Sequence, residues 1–262
     1  MAKKETYLTC PDRNIYEGMT SLSAIISKCI ERSNCEKINK VVVDEEKIKS
    51  KSREISFLKH KSIELGFKLE YWSGAEIDKY TTGNTHGGII AFCNPTSIPF
   101  LNTNIDKINP KGVYVMLDGI EDPYNFGYSV RSIYAAGADG IILPRRNWMN
   151  VAGIVAKSSA GASELIDMFV AEPQDPIDIF KGMEYKIVCS GIRNSVSMYD
   201  ADMKKPIFLI VGGEKRGISG LIEAQADMIA RVEYGREFRG SLSAASAATI
   251  MVYEIFRQNR KL

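Results

Sequence analysis

In the second half of this chain, short apolar segments alternate with amphipathic ones, and this alternation restricts the possible folds more than any other feature. Buried strands are predicted at residues 113–117, 140–143, 164–169, 186–190, 207–211 and 229–232. Helices are predicted at residues 127–136, 151–156, 176–183, 219–225 and 242–257. Strands that alternate with helices indicate an α/β fold with a mainly parallel sheet covered on both faces. Such sheets bind ligands at the carboxyl ends of their strands.

The first hundred residues show a shorter version of the same alternation. Helices are predicted at residues 18–35, 55–65 and 76–80, and strands at 41–43, 67–71 and 89–92, with Gly66 as a helix C-cap. Residues 98–112 then become irregular, with Pro99 and Pro110 among several Asn. The sequence therefore predicts a small α/β domain at residues 1–105 and a larger α/β domain at residues 106–262.

Composition excludes several classes of protein. Thirty-four Lys and Arg oppose 32 Asp and Glu, and a net charge of +2 excludes a polybasic nucleic-acid coat but not an enzyme with local positive charge. Five widely spaced Cys and two His argue against a disulfide framework and against a metal site. The amino-terminal residues lack the apolar core of a signal peptide, and no apolar run approaches ~18 residues. A cytoplasmic protein is expected.

The first segment whose residues could take part in binding or catalysis runs from Leu117 to Arg131. A buried strand ends there in an acidic turn, after which Asn125 is predicted to cap a helix that carries Arg131. Six positions separate these two residues, so they do not share one helical stripe, but both could border a pocket beyond the strand. The simpler interpretation is an ordinary cap followed by a solvated arginine.

The second segment joins a fully apolar strand to a glycine-rich turn. Gly212 and Gly213 would let a ligand approach the backbone closely, and Glu214 could orient that ligand or a nearby arginine. The segment contains neither the dinucleotide-binding pattern nor a phosphate-binding P-loop. A nucleotide-dependent α/β enzyme is therefore disfavoured, and a plain strand-to-helix turn is the simpler alternative.

The third segment leads from Val232 into the last helix. Ser241 is predicted to be its N-cap, and the small residues that follow Leu242 would let another backbone or a flat ligand lie against the helix. A tightly packed terminal helix would show the same composition.

Taken together, the three segments resemble the SpoU/TrmH family of RNA ribose 2′-O-methyltransferases, within the SPOUT superfamily. Residues 125–131 match the family's pattern N-x-G-x-x-x-R, residues 212–217 contain G-x-E-x-x-G, and Ser241-Leu242 opens a helix of small residues. The similarity extends over residues 112–257. More loosely, residues 16–18 and 86–91 resemble the L30e-like RNA-binding domain that precedes many members of the family.

The resemblance implies a C-terminal trefoil-knot domain, preceded by an L30e-like domain that binds the RNA substrate. It implies S-adenosylmethionine as the cofactor and a homodimer that modifies structured RNA, here 23S ribosomal RNA. Arg131 is then the key catalytic residue, tuned or oriented by Asn125, Glu214 and Ser241. The cofactor-binding residues that it implies are Gly212, Gly213, Val232, Leu242 and Ser243.

Two departures from the family pattern leave alternatives open. Ser243 replaces the usual Asn of the third segment, and residues 233–240 lack the usual Ile-Pro-Met start. One alternative is a non-catalytic RNA-binding or assembly protein with a degenerate site. The others are a base methyltransferase of the same superfamily and a methyltransferase that acts on tRNA.

Overall fold

A computed structural model describes residues 7–9, 14–32, 37–81, 86–94, 97–145, 151–172, 175–213 and 217–260. The chain divides into two compact units. The C-terminal unit comprises residues 1–8, 98–146 and 166–262, and the N-terminal unit comprises residues 9–97 and 147–165. The described residues 151–165 thus fold with the N-terminal unit. The assignment of an RNA-binding function to residues 1–105 and of methyl transfer to residues 106–262 stays a prediction.

The helices and strands of the described residues follow one another along the chain. Up to the end of the first hundred residues they are β1 (Tyr7–Thr9), β2 (Asn14–Glu17), α1 (Gly18–Glu31), β3 (Ile38–Asp44), α2 (Ser52–Leu65), β4 (Lys68–Trp72), α3 (Gly74–Asp78), β5 (Ile89–Cys93) and β6 (Ser97–Pro99). After them come β7 (Val113–Asp118), α4 (Pro123–Ala135), β8 (Gly140–Pro144), α5 (Ala152–Ser158), α6 (Ala162–Leu165), β9 (Asp167–Ala171), α7 (Asp175–Gly182), β10 (Lys186–Ser190), β11 (Val196–Ser197), β12 (Ile207–Gly212), α8 (Gly220–Glu223), β13 (Met228–Arg231) and α9 (Ala244–Asn259).

The C-terminal unit is organised around a seven-stranded sheet in the order β11-β13-β10-β12-β7-β8-β9. Every neighbouring pair is parallel, so the predicted α/β fold with a mainly parallel sheet is confirmed. The trefoil knot stays a prediction. The strand predicted at residues 164–169 was placed too early: Glu164 and Leu165 belong to α6, and β9 begins at Asp167. The left-handed Gly161 starts this extra helical turn, which the apolar pattern alone does not reveal.

The central strands of this sheet are buried on both faces. Met116 and Phe208 on one face pack in a core with Phe180 of α7. The Phe180 and Phe208 rings stack with their centroids 4.2 Å apart. Val115 and Leu209, which alternate with them in sequence, are fully buried as well. On a parallel sheet such burial requires helices on both faces, as the continuous apolar runs of the sequence predict.

The N-terminal unit has a four-stranded mixed sheet in the order β2-β5-β3-β4. Helices α1 and α2 contribute apolar side chains to its core, and Gly66 caps α2 with a φ of 77°, as predicted. Helix α1 ends at Glu31, before the predicted end at residue 35.

Helices α5 and α6 pack in this N-terminal unit although they lie between β8 and β9 in the sequence. Ion pairs join Lys37 to Glu164 and Lys157 to Glu17, and Lys28 Nζ donates a hydrogen bond to the Leu165 carbonyl oxygen. These polar contacts join residues more than a hundred positions apart, which explains why the sequence pattern did not indicate them.

No helix in the described part of the chain has the length and apolar character that crossing a bilayer requires.

A buried carboxylate fixes the end of α9 in the C-terminal unit. Glu254 accepts hydrogen bonds from Arg257 Nε at 2.8 Å and Nη2 at 2.7 Å, and from Gln258 Nε2 at 2.6 Å. Gln258 Oε1 accepts a further hydrogen bond from the Met203 backbone N–H, in the segment before β12. The hydrogen bonds from Arg257 hold the pKa of Glu254 below its ordinary value, because they stabilise the charged carboxylate.

Replacing Glu254 by glutamine is expected to lower the free energy of unfolding at pH 7 by about 1–2 kcal/mol, because a charge-assisted network is lost. Because the pKa of Glu254 is lower in the folded than in the unfolded protein, its ionised form stabilises the fold at pH values above the unfolded-state pKa of about 4.3. This stabilisation is lost as the pH falls through the folded-state pKa. Urea unfolding from pH 7 to pH 3 should therefore show the variant and the wild type converging at low pH. Glu237→Gln, at an exposed position, is the control. A constant difference across this range would contradict the prediction.

Candidate active site

Four neighbouring strands of the parallel sheet end together and bring the three segments to one edge. Gly212 at the end of β12 is paired with Asp118 at the end of β7. On the other side, the Gly212 backbone N–H donates to Ser190 Oγ at 3.4 Å, and Ser190 of β10 is paired with Ala230 of β13. The carboxyl edge of β13, β10, β12 and β7 is thus continuous, which is where the sequence predicted a ligand.

The first two segments touch through their glycines. A Cβ atom at Gly213 would lie 2.5 Å from the carbonyl carbon of Gly119 and would overlap its oxygen. Gly119 itself has a φ of 86°, which favours glycine. Gly213 then closes a tight turn by accepting a hydrogen bond from the Gly217 N–H at 3.0 Å. Glu214, the predicted carboxylate of this turn, lies outside the described residues.

The helix of the first segment starts two residues before Asn125, so its predicted role as the N-cap was wrong. The cap is Asp122, whose carboxylate accepts a hydrogen bond from the Asn125 N–H at 2.7 Å, and Pro123 occupies the first helical position. Pro suits that position because its fixed φ is already helical. Asn125 is half-buried in the first turn, and its carbonyl oxygen accepts a hydrogen bond from Ser129 Oγ at 2.8 Å.

Arg131 lies on the exposed side of α4. Tyr124 and Tyr128 precede it at spacings of seven and three residues, so the three side chains form one stripe, with Tyr134 beside it. Within the described ranges, Arg131 forms no ion pair. A guanidinium on the exposed side of a helix can donate hydrogen bonds to an anionic ligand.

The last helix also starts later than predicted. Ser243, not Ser241, is the N-cap of α9, and its Oγ accepts a hydrogen bond from the Ser246 N–H at 3.1 Å. Ser241 is exposed and precedes the helix by three residues. The departure of Ser243 from the usual Asn therefore has a local explanation, because Ser and Asn are both good caps.

The backbone before this helix is held by a tyrosine that the sequence did not single out. Tyr234 Oη accepts a hydrogen bond from the Leu242 N–H at 3.1 Å, across the loop that follows β13. The Leu242 N–H therefore already donates a hydrogen bond within the protein. The Leu242 side chain is half-buried and can still contact a ligand. Val232, also half-buried, directly follows β13.

The structure therefore brings Gly212, Gly213 and Val232 to one edge of the sheet, which Leu242 and Ser243 approach through the β13–α9 loop. Arg131 and Asn125 belong to α4, and this helix packs against α9. Sequence reasoning missed Ser190 and Tyr234. Ser190 could have been found, because it is a polar residue at the carboxyl end of a predicted buried strand.

The chemistry of the remaining candidates at this edge is limited. Burial raises the pKa of the Cys189 thiol to about 12, with a further contribution from Glu223, so Cys189 is not a nucleophile at neutral pH. In the described portion of the chain, no group of three His, Cys, Asp or Glu side chains could hold a metal ion. The edge is instead formed by glycine backbone, hydroxyl groups, half-buried apolar side chains and the Asp118 carboxylate at the end of β7.

Comparison with known proteins agrees with this arrangement. The model of the SpoU rRNA Methylase family matches residues 112–253. A TrmH family tRNA/rRNA methyltransferase of Staphylococcus saprophyticus is 31% identical over 180 residues, which cover 66% of this chain and 71% of the relative. A similarly named protein of Bacillus subtilis is 25% identical over 225 residues, which cover 85% of this chain and 89% of the relative.

Solved structures show the same fold. An AdoMet-bound rRNA methyltransferase from Sinorhizobium meliloti superposes with a TM-score of 0.75 at 23% identity and covers 94% of this chain and 87% of its own. The SpoU methyltransferase AviRb from Streptomyces viridochromogenes, in complex with AdoMet, has a TM-score of 0.72 at 19% identity, with 95% and 92% of the two chains covered.

Proposed function

Because this chain belongs to the SpoU rRNA methylase family, we propose that it transfers a methyl group from S-adenosylmethionine to a ribose 2′-hydroxyl of structured RNA, namely 23S ribosomal RNA. The observation that carries this proposal is the convergence of the three family segments at one carboxyl edge. The pairing of Gly212 with Asp118 joins two of them directly, and the β13–α9 loop supplies the third.

The residues at this edge fit S-adenosylmethionine. Gly212 and Gly213 present backbone without side chains, and the half-buried Val232 and Leu242 offer apolar surface to an adenosyl group. We propose that these residues and Ser243 hold the donor. When bound, S-adenosylmethionine supplies a methyl group that its sulfonium charge has already activated. The protein must therefore align the ribose and assist loss of its proton.

Arg131 is the proposed key residue of the RNA side. A guanidinium keeps its proton at neutral pH, so its suited role is to donate hydrogen bonds to the 2′-oxygen or to an adjacent phosphate. Asn125, six residues earlier on α4, is proposed to orient Arg131. Glu214 and Ser241 complete the proposed catalytic set.

We also propose a homodimer in the cytoplasm. Aromatic side chains of α4 and α9 are exposed on this unit, and exposed aromatic clusters are typical of protein interfaces. These residues are Tyr124, Tyr128, Tyr134, Tyr253 and Phe256. The N-terminal unit is proposed to capture RNA, which agrees with the exposed basic side chains of its helix α2, such as Arg53 and Lys59.

Incubation of the protein with radiolabelled S-adenosylmethionine and total RNA tests the function. We expect label in large-subunit rRNA, recovered after digestion as a 2′-O-methylated nucleoside, with a reverse-transcription stop at one site. A methyl group on a base would contradict the 2′-O assignment, and label in tRNA would contradict the rRNA assignment. Absence of S-adenosylmethionine binding by calorimetry would favour a non-catalytic RNA-binding protein.

A further inference from the structure

The loop between β13 and α9 is unusually exposed for a segment beside an active site. All residues from 233 to 241 are exposed. Two of them are aromatic, with 37% of Tyr234 and 58% of Phe238 accessible to solvent. The two rings contact each other and so form an exposed aromatic pair, and contiguous exposed apolar surface is typical of binding sites.

The Phe238 ring has a defined position on this loop. Its centroid lies 5.8 Å from that of Tyr234, with the rings inclined at 60°, an edge-on contact that leaves ring surface open. On another side, the ring fills the space that a side chain at position 240 would need: a Cβ atom at Gly240 would lie 2.5 Å from Phe238 Cζ. The Tyr234 hydroxyl accepts a hydrogen bond from the Leu242 N–H, so the Phe238 ring packs on a side chain whose position is fixed.

Two arginines lie close to Phe238 in sequence. Glu233 is neutralised by Arg231, whose Nη2 lies 3.2 Å from its Oε1. Arg236 and Arg239 flank Phe238 in sequence and form no ion pair with any residue that the structure describes. Against the single further carboxylate, Glu237, the loop therefore offers two free guanidinium groups to an anionic ligand.

We propose that Phe238 is a stacking platform for an unpaired base of the RNA substrate, with Arg236 and Arg239 neutralising the neighbouring phosphates. This inference rests on the proposed function and extends it to the form of the substrate. Every nucleobase offers a π face to an aromatic ring, but a base inside a duplex is already stacked on its neighbours. The modified nucleotide or its neighbour must therefore lie in a single-stranded loop or bulge.

The position of the loop makes this nucleotide a near neighbour of the reacting ribose. The loop leaves the sheet at the end of β13, and only β10 separates that strand from β12 with Gly212. Phe238 contacts Tyr234, whose hydroxyl accepts the hydrogen bond from the N–H of Leu242, one of the proposed donor-binding residues. Val232, at the start of the loop, is another, so both ends of the loop lie at the proposed donor site.

The test is RNA binding, measured by fluorescence anisotropy in the presence of S-adenosylhomocysteine, so that it does not depend on turnover. The probes are a hairpin RNA with an unpaired loop and a fully paired duplex of the same length. We expect Phe238→Ala to weaken hairpin binding roughly ten-fold, Phe238→Trp to retain it, and neither to change duplex binding. The control is Ile105→Ala, which shortens an exposed apolar side chain in the segment before β7.

Donor affinity by calorimetry and molecular mass by light scattering accompany each variant. Unchanged hairpin affinity in Phe238→Ala would overturn the inference, as would weaker donor binding or dissociation of a dimer, because the ring would then serve the donor or a subunit interface. Wild-type protein that binds the hairpin through Phe238 but transfers no methyl group would contradict the proposed function alone. Wild-type protein that binds neither probe would contradict both.

Discussion

Arg131→Ala is expected to lower kcat for methyl transfer by about two to three orders of magnitude, as loss of one hydrogen-bond donor to a reacting oxygen does in other enzymes. The affinity for S-adenosylmethionine should stay within about two-fold, because the proposed donor-binding residues lie in other segments. Stability should also be unchanged, since Arg131 is exposed and forms no ion pair with the described residues. Single-turnover rates and donor calorimetry measure the two quantities separately.

Two further variants show what Arg131 contributes. Arg131→Lys keeps the charge but loses the planar fork of donors, so partial recovery would indicate electrostatic attraction and continued loss would indicate bidentate alignment. Lys181→Ala removes an exposed cation from the last turn of α7 and serves as the control for charge alone. Turnover retained in Arg131→Ala would refute the choice of this residue.

Gly213→Ala is expected to weaken donor binding at least ten-fold and to lower the free energy of unfolding by about 1–3 kcal/mol. The added methyl group would overlap the Gly119 carbonyl, which belongs to backbone and cannot rotate away. The turns after β7 and β12 must therefore separate, and the proposed donor site lies between their strands and β13. Thermal unfolding and donor calorimetry measure the two effects.

Gly182→Ala is the matched control for that substitution. A Cβ atom at Gly182 would have no heavy atom within 4 Å, so the same chemical change is made without a clash. It should leave donor affinity unaltered. Normal donor affinity in a folded Gly213→Ala protein would mean that close contact between the two turns is not needed for the site.

Much of the fold could be predicted because a buried parallel strand has a simple pattern. Val113–Asp118 and Ile207–Gly212 are continuous apolar runs, and such runs are typical of strands covered on both faces. Helix starts were harder to predict. Asn125 and Ser241 are good capping residues, but Asp122 and Ser243 are the N-caps. The choice between neighbouring candidates depends on the residue at which the preceding loop ends, and the local sequence does not fix that residue.

The candidate site divides in the same way. The sequence alone determined the parallel α/β class, the three family segments and the importance of glycine at positions 212 and 213, since these depend on local pattern and on residues without side chains. Only the tertiary structure decided that Gly213 lies against Gly119, that Tyr234 holds the Leu242 N–H and that residues 151–165 fold with the N-terminal unit. Strand order and long-range packing produce these contacts, and neither is encoded in the periodicity of a single segment.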